Sequence, residues 1–233
     1  MISFIKTEEV LFMYEKELEK ILKEAGADLV GFSSLGENRS PEHPEYGYAV
    51  TIVRKLSHAV IKTINGAPTM EYFQHYRATN ARLDSIALDA VSFIENAGYL
   101  ALPVAASQST PDKKDEYRGI FPHKTGAVLS GLGFIGKNGL LITEYGSAVR
   151  LASVLTDMPL SAQKEINPCL CGDCQICKNA CPAGAITGEL YVNGAERSTI
   201  FDAKKCSEHM KTYKNIGRGA VCGICISVCP YNK

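Results

Sequence analysis

The chain has 233 residues, 45% of them hydrophobic and 21% charged, with a formal net charge of +0. That length allows one large domain or a medium domain with a smaller companion, and the composition is that of an ordinary globular protein without a disordered tract. Charge balance argues against a general nucleic-acid binder, which needs excess Lys and Arg to displace counterions from phosphate.

The first residues, MISFIKTEEVLFMYEKELEK, lack a signal-type apolar core because Glu8, Glu9, Glu15 and Lys16 interrupt it. No stretch approaches the roughly 18 apolar residues of a membrane span. The expectation is a cytoplasmic protein with no membrane partner. Val10, Leu11, Tyr14, Leu18, Ile21 and Leu22 repeat at helical spacing within 9–25, and Gly26 supplies a stop. DLVGFS reads as a strand, and YGYAVTIVRKL as a second. There Ala49, Val50, Ile52 and Val53 form an apolar run suited to a sheet covered on both faces.

The longest helix is expected over 70–97, where Tyr72, Tyr76, Leu83, Ile86, Ala87, Ala90, Val91 and Ile94 trace one stripe before Gly98. YLALPVAAS follows as a strand and HKTGAVLSGLG as a helix closed by glycine. NGLLITEYG and AVRLASVLTD are expected to form a hairpin turning at Tyr145 to Ser147. Helices and strands mix without strict alternation, so the fold class is α+β. Residues 1–165 are expected to form a cofactor- and substrate-binding domain, and 166–233 a second, smaller one. Within the first, Gly131, Gly133, Gly136 and Gly139 could let backbone approach a large planar or phosphorylated cofactor, or serve only tight turns. They do not form a dinucleotide fingerprint, because strand, G-x-G-x-x-G and helix do not occur in that order.

Nine cysteines remain to be explained. In a reducing compartment their spacing reads first as metal ligation. Cys171, Cys174, Cys177 and Cys181 form C-x2-C-x2-C-x3-C before Pro182, the bacterial ferredoxin run whose fourth cysteine serves a different cluster. Cys222, Cys225 and Cys229 repeat the spacing and end at Pro230. Gly219 stands where their first cysteine would be, and Cys206 can fill that place from a longer loop. Bookkeeping then assigns Cys171, Cys174, Cys177 and Cys229 to one 4Fe-4S cluster, and Cys181, Cys206, Cys222 and Cys225 to another, leaving Cys169 spare. Structural zinc also uses four thiolates, but does not call for two interleaved runs each ending in Cys-Pro. Lys204, Lys205, Lys211, Lys214 and Arg218 outnumber Asp202 and Glu208 between the runs. They read as a solvated face, or as a docking patch for an acidic electron donor or a nucleic acid.

The segment HKTGAVLSGLGFIGKNGLLITEYGSAVRLASVLTD, the double-cluster tail and YLALPVAAS together resemble the epoxyqueuosine reductase family, itself related to cobalamin-dependent reductive dehalogenases. The most specific match outside the cysteines is Gly131 to Asn138 with Glu144 to Ser147. This resemblance implies a nitroreductase-like cobalamin-binding module followed by a two-cluster ferredoxin-like domain. An external low-potential donor would supply electrons to the clusters and thence to cobalt, reducing a small molecule or modified base. Cofactor contacts are expected from Gly131, Gly133, Phe134, Gly136, Lys137, Asn138, Tyr145, Gly146 and Ser147. The tRNA-modifying members continue into a helical-repeat domain, whereas this sequence ends at Lys233, so tRNA is the less expected substrate. Family members carry an acidic proton donor upstream of the glycine segment. Here KDEYRGIFPHK offers Asp115, Glu116, Tyr117 or His123, of which Tyr117 and His123 are the expected catalytic groups. The alternatives are an electron-transfer protein and a reductive activator of a separate corrinoid protein.

Overall fold

A computed structural model describes residues 5–107, 117–161, 164–217 and 220–232, with side chains from residue 12 onward. The elements are α1 (Ile5–Glu24), β1 (Leu29–Ser34), β2 (Tyr48–Lys55), α2 (His58–Ile61), α3 (Met70–Asn96), β3 (Ala101–Val104), α4 (His123–Leu129), β4 (Phe134–Ile135), β5 (Leu141–Ile142), β6 (Val149–Thr156), α5 (Ile176–Ala180), α6 (Ala203–Met210) and α7 (Ile224–Ser227). The fold is α+β, as expected. Among the described residues, no helix is long and apolar enough to cross a membrane.

A four-stranded sheet runs in the order β1-β2-β6-β3, with β1 antiparallel to β2 and β3 antiparallel to β6. Side chains alternate across a strand, and each face has its own composition. Val30, Val50, Ile52, Ala152 and Val154 join Leu18 and Leu22 of α1 and Leu83, Ile86, Ala87, Ala90 and Ile94 of α3 in one buried cluster. The opposite face carries Gly31 and Thr51 close to α4 and the serine that follows it. A side-chain carbon on Gly31 would strike Ser130, and one on Gly126 would strike Thr51. These positions let α4 approach the strands at backbone distance.

The expected hairpin between NGLLITEYG and AVRLASVLTD does not form. Instead β5 folds back on β4, pairing Phe134 with Ile142, while β6 runs into the larger sheet. The reason is local: Gly133 lies so close to the Ile142 carbonyl that no side chain fits between them. β6 meanwhile is buried along most of its length, which suits an interior strand better than an edge.

Contacts divide the chain into two compact units, residues 1–54, 80–132 and 150–165, and residues 55–79, 133–149 and 166–233. The second unit combines the cysteine-bearing stretch with two upstream segments. Its core gathers Leu56, Ile61, Ile64, Tyr72, Ala148, Ile216, Val221, Ile224 and Ile226. The last part of the cysteine-bearing stretch, around residues 216–226, therefore packs on residues contributed from well before it.

Candidate iron-sulfur centre

Short helices and turns position the thiols. Cys177 lies on α5 and Cys225 on α7, and these two helices pack together. α7 starts at Gly223, where a side-chain carbon would meet the Tyr72 ring at 2.7 Å. Cys206 lies on α6, whose first turn is capped by Asp202 accepting from the Lys205 amide at 3.0 Å. Among the described residues all nine cysteines are free thiols of intermediate exposure.

They fall into two groups. Cys171, Cys174, Cys177 and Cys229 line a small recess with Lys137, Asn138, Ile142, Pro230 and Tyr231. Burial pushes the Cys171 thiol up to about 11 against the backbone N–H of Lys137, which favours the thiolate, while the Cys169 and Cys177 thiolates add to the rise. Burial likewise raises Cys177, helped by Cys174 and Cys229. In the other group, burial pushes Cys206 up to about 11, assisted by Cys222 and Cys181. Cys225 is raised still more by burial and then by Cys222, Cys206 and Cys181. Burial is the leading cause at each of these four thiols, and Cys206 and Cys225 both feel Cys181 and Cys222. The Ala185 amide donates to Cys181 Sγ at 3.4 Å. The raised values at Cys171, Cys177, Cys206 and Cys225 do not oppose metal ligation, because bound metal removes thiol protons outright.

The glycine segment closes over this region. Lys137 and Asn138 are buried, and Asn138 Nδ2 donates to the Cys225 carbonyl at 3.5 Å. Phe134 meets Tyr231 edge-on with ring centroids 5.5 Å apart. Asn232 Oδ1 accepts from the amides of Ser147 and Ala148 at 2.7 and 3.0 Å and from Ser147 Oγ at 3.2 Å, and its Nδ2 donates to the Ile226 carbonyl. Tyr145 lies beneath Lys55 Nζ, 5.1 Å from the ring centroid. Sequence reasoning missed Tyr231 and Asn232, which follow the last Cys-Pro and belong to no ligand pattern.

The faces expected to meet a cofactor are occupied by the chain itself: Lys164 at Gly131, Ile142 at Gly133 and Gly136, Phe201 at Gly139, and Tyr231 and Asn232 at Gly146. On their Cβ sides these glycines serve close packing within the chain. The cysteines by contrast fit an iron-sulfur cluster in number, grouping and enclosure.

His123 differs from its expected part. Its Nε2 lies 3.0 Å from the Ala105 carbonyl and its Nδ1 2.9 Å from Ser153 Oγ. The carbonyl requires a proton on Nε2, so Nδ1 accepts from the serine. Burial lowers its pKa from 6.5 to about 4, opposed by the Ala105 carbonyl and reinforced by Arg150 and Lys124. A neutral imidazole engaged at both nitrogens is a strut, with no proton to offer near neutrality. Tyr117 is partly exposed. Asp115 and Glu116 lie outside the described residues, as do Arg218 and Gly219. Lys204, Lys205, Lys211 and Lys214 are exposed, and Lys205 Nζ lies 3.7 Å from Asp202.

Residues 170–232 match the 4Fe-4S double cluster binding domain family. An epoxyqueuosine reductase of Synechococcus sp. (strain RCC307) is 39% identical over 111 residues, covering 47% of this chain and 34% of that protein. Over that segment the chain is similar to epoxyqueuosine reductases. Matched segments span between about a third and a half of such curated relatives. A solved epoxyqueuosine reductase in complex with a tRNA-Tyr epoxyqueuosine-modified stem loop superposes with a TM-score of 0.63 at 21% identity, over 95% of this chain and 66% of that one. A reductive dehalogenase whose structure is described as suggesting a mechanism for B12-dependent dehalogenation superposes at 0.69 and 20% identity, over 93% of this chain and 31% of that one. Both likenesses give the fold.

Proposed function

We propose that the protein is an oxidoreductase in which two 4Fe-4S clusters carry electrons from an external low-potential donor to an acceptor that reduces a small molecule or modified nucleoside. The observation that carries this reading is the grouping of thiols into two sets drawn crosswise from both cysteine runs. Cys171, Cys174, Cys177 and Cys229 would hold one cluster, and Cys181, Cys206, Cys222 and Cys225 the other. Backbone amides of Lys137 and Ala185 stabilise thiolate charge at one ligand of each set.

Likeness to a B12-dependent dehalogenase supports cobalamin as the acceptor. When bound, that group supplies a strongly reducing, nucleophilic cobalt, while the protein supplies position and protons. Tyr117 is the remaining expected proton donor among the described residues. Tyr117→Phe should slow turnover at least tenfold with iron content unchanged, whereas unaltered turnover removes it from the mechanism. The filled glycine faces favour a second reading, an electron-transfer protein whose acceptor sits in a partner.

Anaerobic iron analysis of reconstituted protein, followed by titration with cob(II)alamin, tests both. About eight irons per chain and a perturbed cobalamin spectrum are expected. A full iron complement with an unperturbed spectrum selects the electron-transfer reading, and zinc or about four irons removes the two-cluster reading altogether.

A further inference from the structure

Cys206, His209 and Tyr213 recur at i, i+3 and i+7 on and just beyond α6, a spacing that brings side chains to one side of a helix. His209 Nε2 lies 3.1 Å from Tyr213 Oη, and the two rings meet edge-on with centroids 5.2 Å apart at 90°. Tyr213 Oη in turn lies 3.8 Å from Cys222 Sγ. Protonation follows from these partners. A metal-bound thiolate only accepts, so the phenol donates to sulfur. Its oxygen then accepts from His209, which must carry its proton on Nε2.

We propose that Tyr213, backed by His209, sets the reduction potential of the cluster on Cys181, Cys206, Cys222 and Cys225. The inference rests on the two-cluster reading given above. Reduction adds one electron to the cluster and nothing leaves, so negative charge on the sulfurs increases. A hydrogen bond to Cys222 stabilises that reduced state more than the oxidised one and raises the potential. A donor already polarised by a neighbouring N–H gives a stronger bond, which is the part of His209. The other group has a different supply of donors: Tyr231, which lines its recess, donates instead to the Leu170 carbonyl at 2.8 Å. The two clusters are thereby made unequal, as a directional relay requires.

Anaerobic redox titration with dithionite, followed by electron paramagnetic resonance, tests this on the reconstituted full chain. Tyr213→Phe should retain the wild-type iron content and shift one of the two midpoint potentials downward, leaving the other in place. His209→Ala should move the same midpoint in the same direction by less, and His209→Gln, which keeps an N–H donor, should restore it. Unmoved potentials in Tyr213→Phe with full iron overturn the proposal. Should that variant lose iron, His209→Ala decides, and an unmoved midpoint there overturns it equally. A wild-type chain holding a single cluster removes the two-cluster reading and this inference with it, an outcome visible in the iron analysis before any variant is made.

Discussion

A histidine held between a carbonyl and a hydroxyl is satisfied in one neutral form, and His123 is so held. Its folded pKa of about 4 lies below the unfolded value of 6.5. Between those values the unfolded chain binds the extra proton, so stability rises with pH. The contribution is complete above about pH 6.5 and is lost as pH falls toward 4, amounting to roughly 3 kcal/mol at most. Thermal melts across that window should show a falling Tm for the wild type and a weaker dependence for His123→Gln. Identical slopes would mean that the ring titrates freely. At this scale the cysteine spacing was legible, because a ferredoxin run is a local pattern read by counting. The fate of His123 was not, since its neutrality comes from burial by tertiary packing, and its partners Ala105 and Ser153 lie 18 and 30 residues away.

Elements defined by their own periodicity emerged much as expected, α3 over 70–96 and β2 over 48–55 among them. Pairing was the less legible part. β5 and β6 have the pattern of strands, but a strand pattern does not name its partner, and the choice of β4 over β6 is made by close approach at Gly133. The glycine segment shows the same limit. What fills the space beside a glycine comes from elsewhere in the chain, here Tyr231 and Asn232 beside Gly146. That docking predicts a contrast between two glycines with similar backbone. Gly146 has φ +77°, and a side-chain carbon there would lie 2.5 Å from the Tyr231 carbonyl, while Gly98 has φ +88° with open space around it. Gly98→Ala should cost only the left-handed strain, about 1–2 kcal/mol. Gly146→Ala should cost more, about 3 kcal/mol or above, and should lower iron retention by loosening the tail that carries Cys229. Equal shifts in Tm would show that the tail does not dock there.

At the scale of the whole molecule, crosswise ligation would make the metal part of the fold. From residue 166 onward the buried apolar side chains are few, chiefly Ala185, Ile186, Ile200, Ile216, Val221, Ile224 and Ile226. So small a core seldom holds a segment of this length without staples, and two clusters would tie its beginning to its end: Cys171, Cys174 and Cys177 with Cys229, and Cys181 with Cys206, Cys222 and Cys225. Removing metal should therefore cost tertiary structure as well as redox activity, because binding energy becomes folding energy. The crossed pairing also separates itself from a sequential one, in which each run serves its own cluster. If pairing is crossed, Cys181→Ala with Cys206→Ala strips two ligands from one cluster and spares the other, leaving about four irons. Cys206→Ala with Cys229→Ala then takes one ligand from each and damages both. A sequential arrangement reverses the first result, since Cys181 and Cys206 would then belong to different clusters. Iron content and the electron paramagnetic resonance of the two double variants decide between the arrangements, and a first variant that loses both clusters while the second keeps one would rule out crossed ligation.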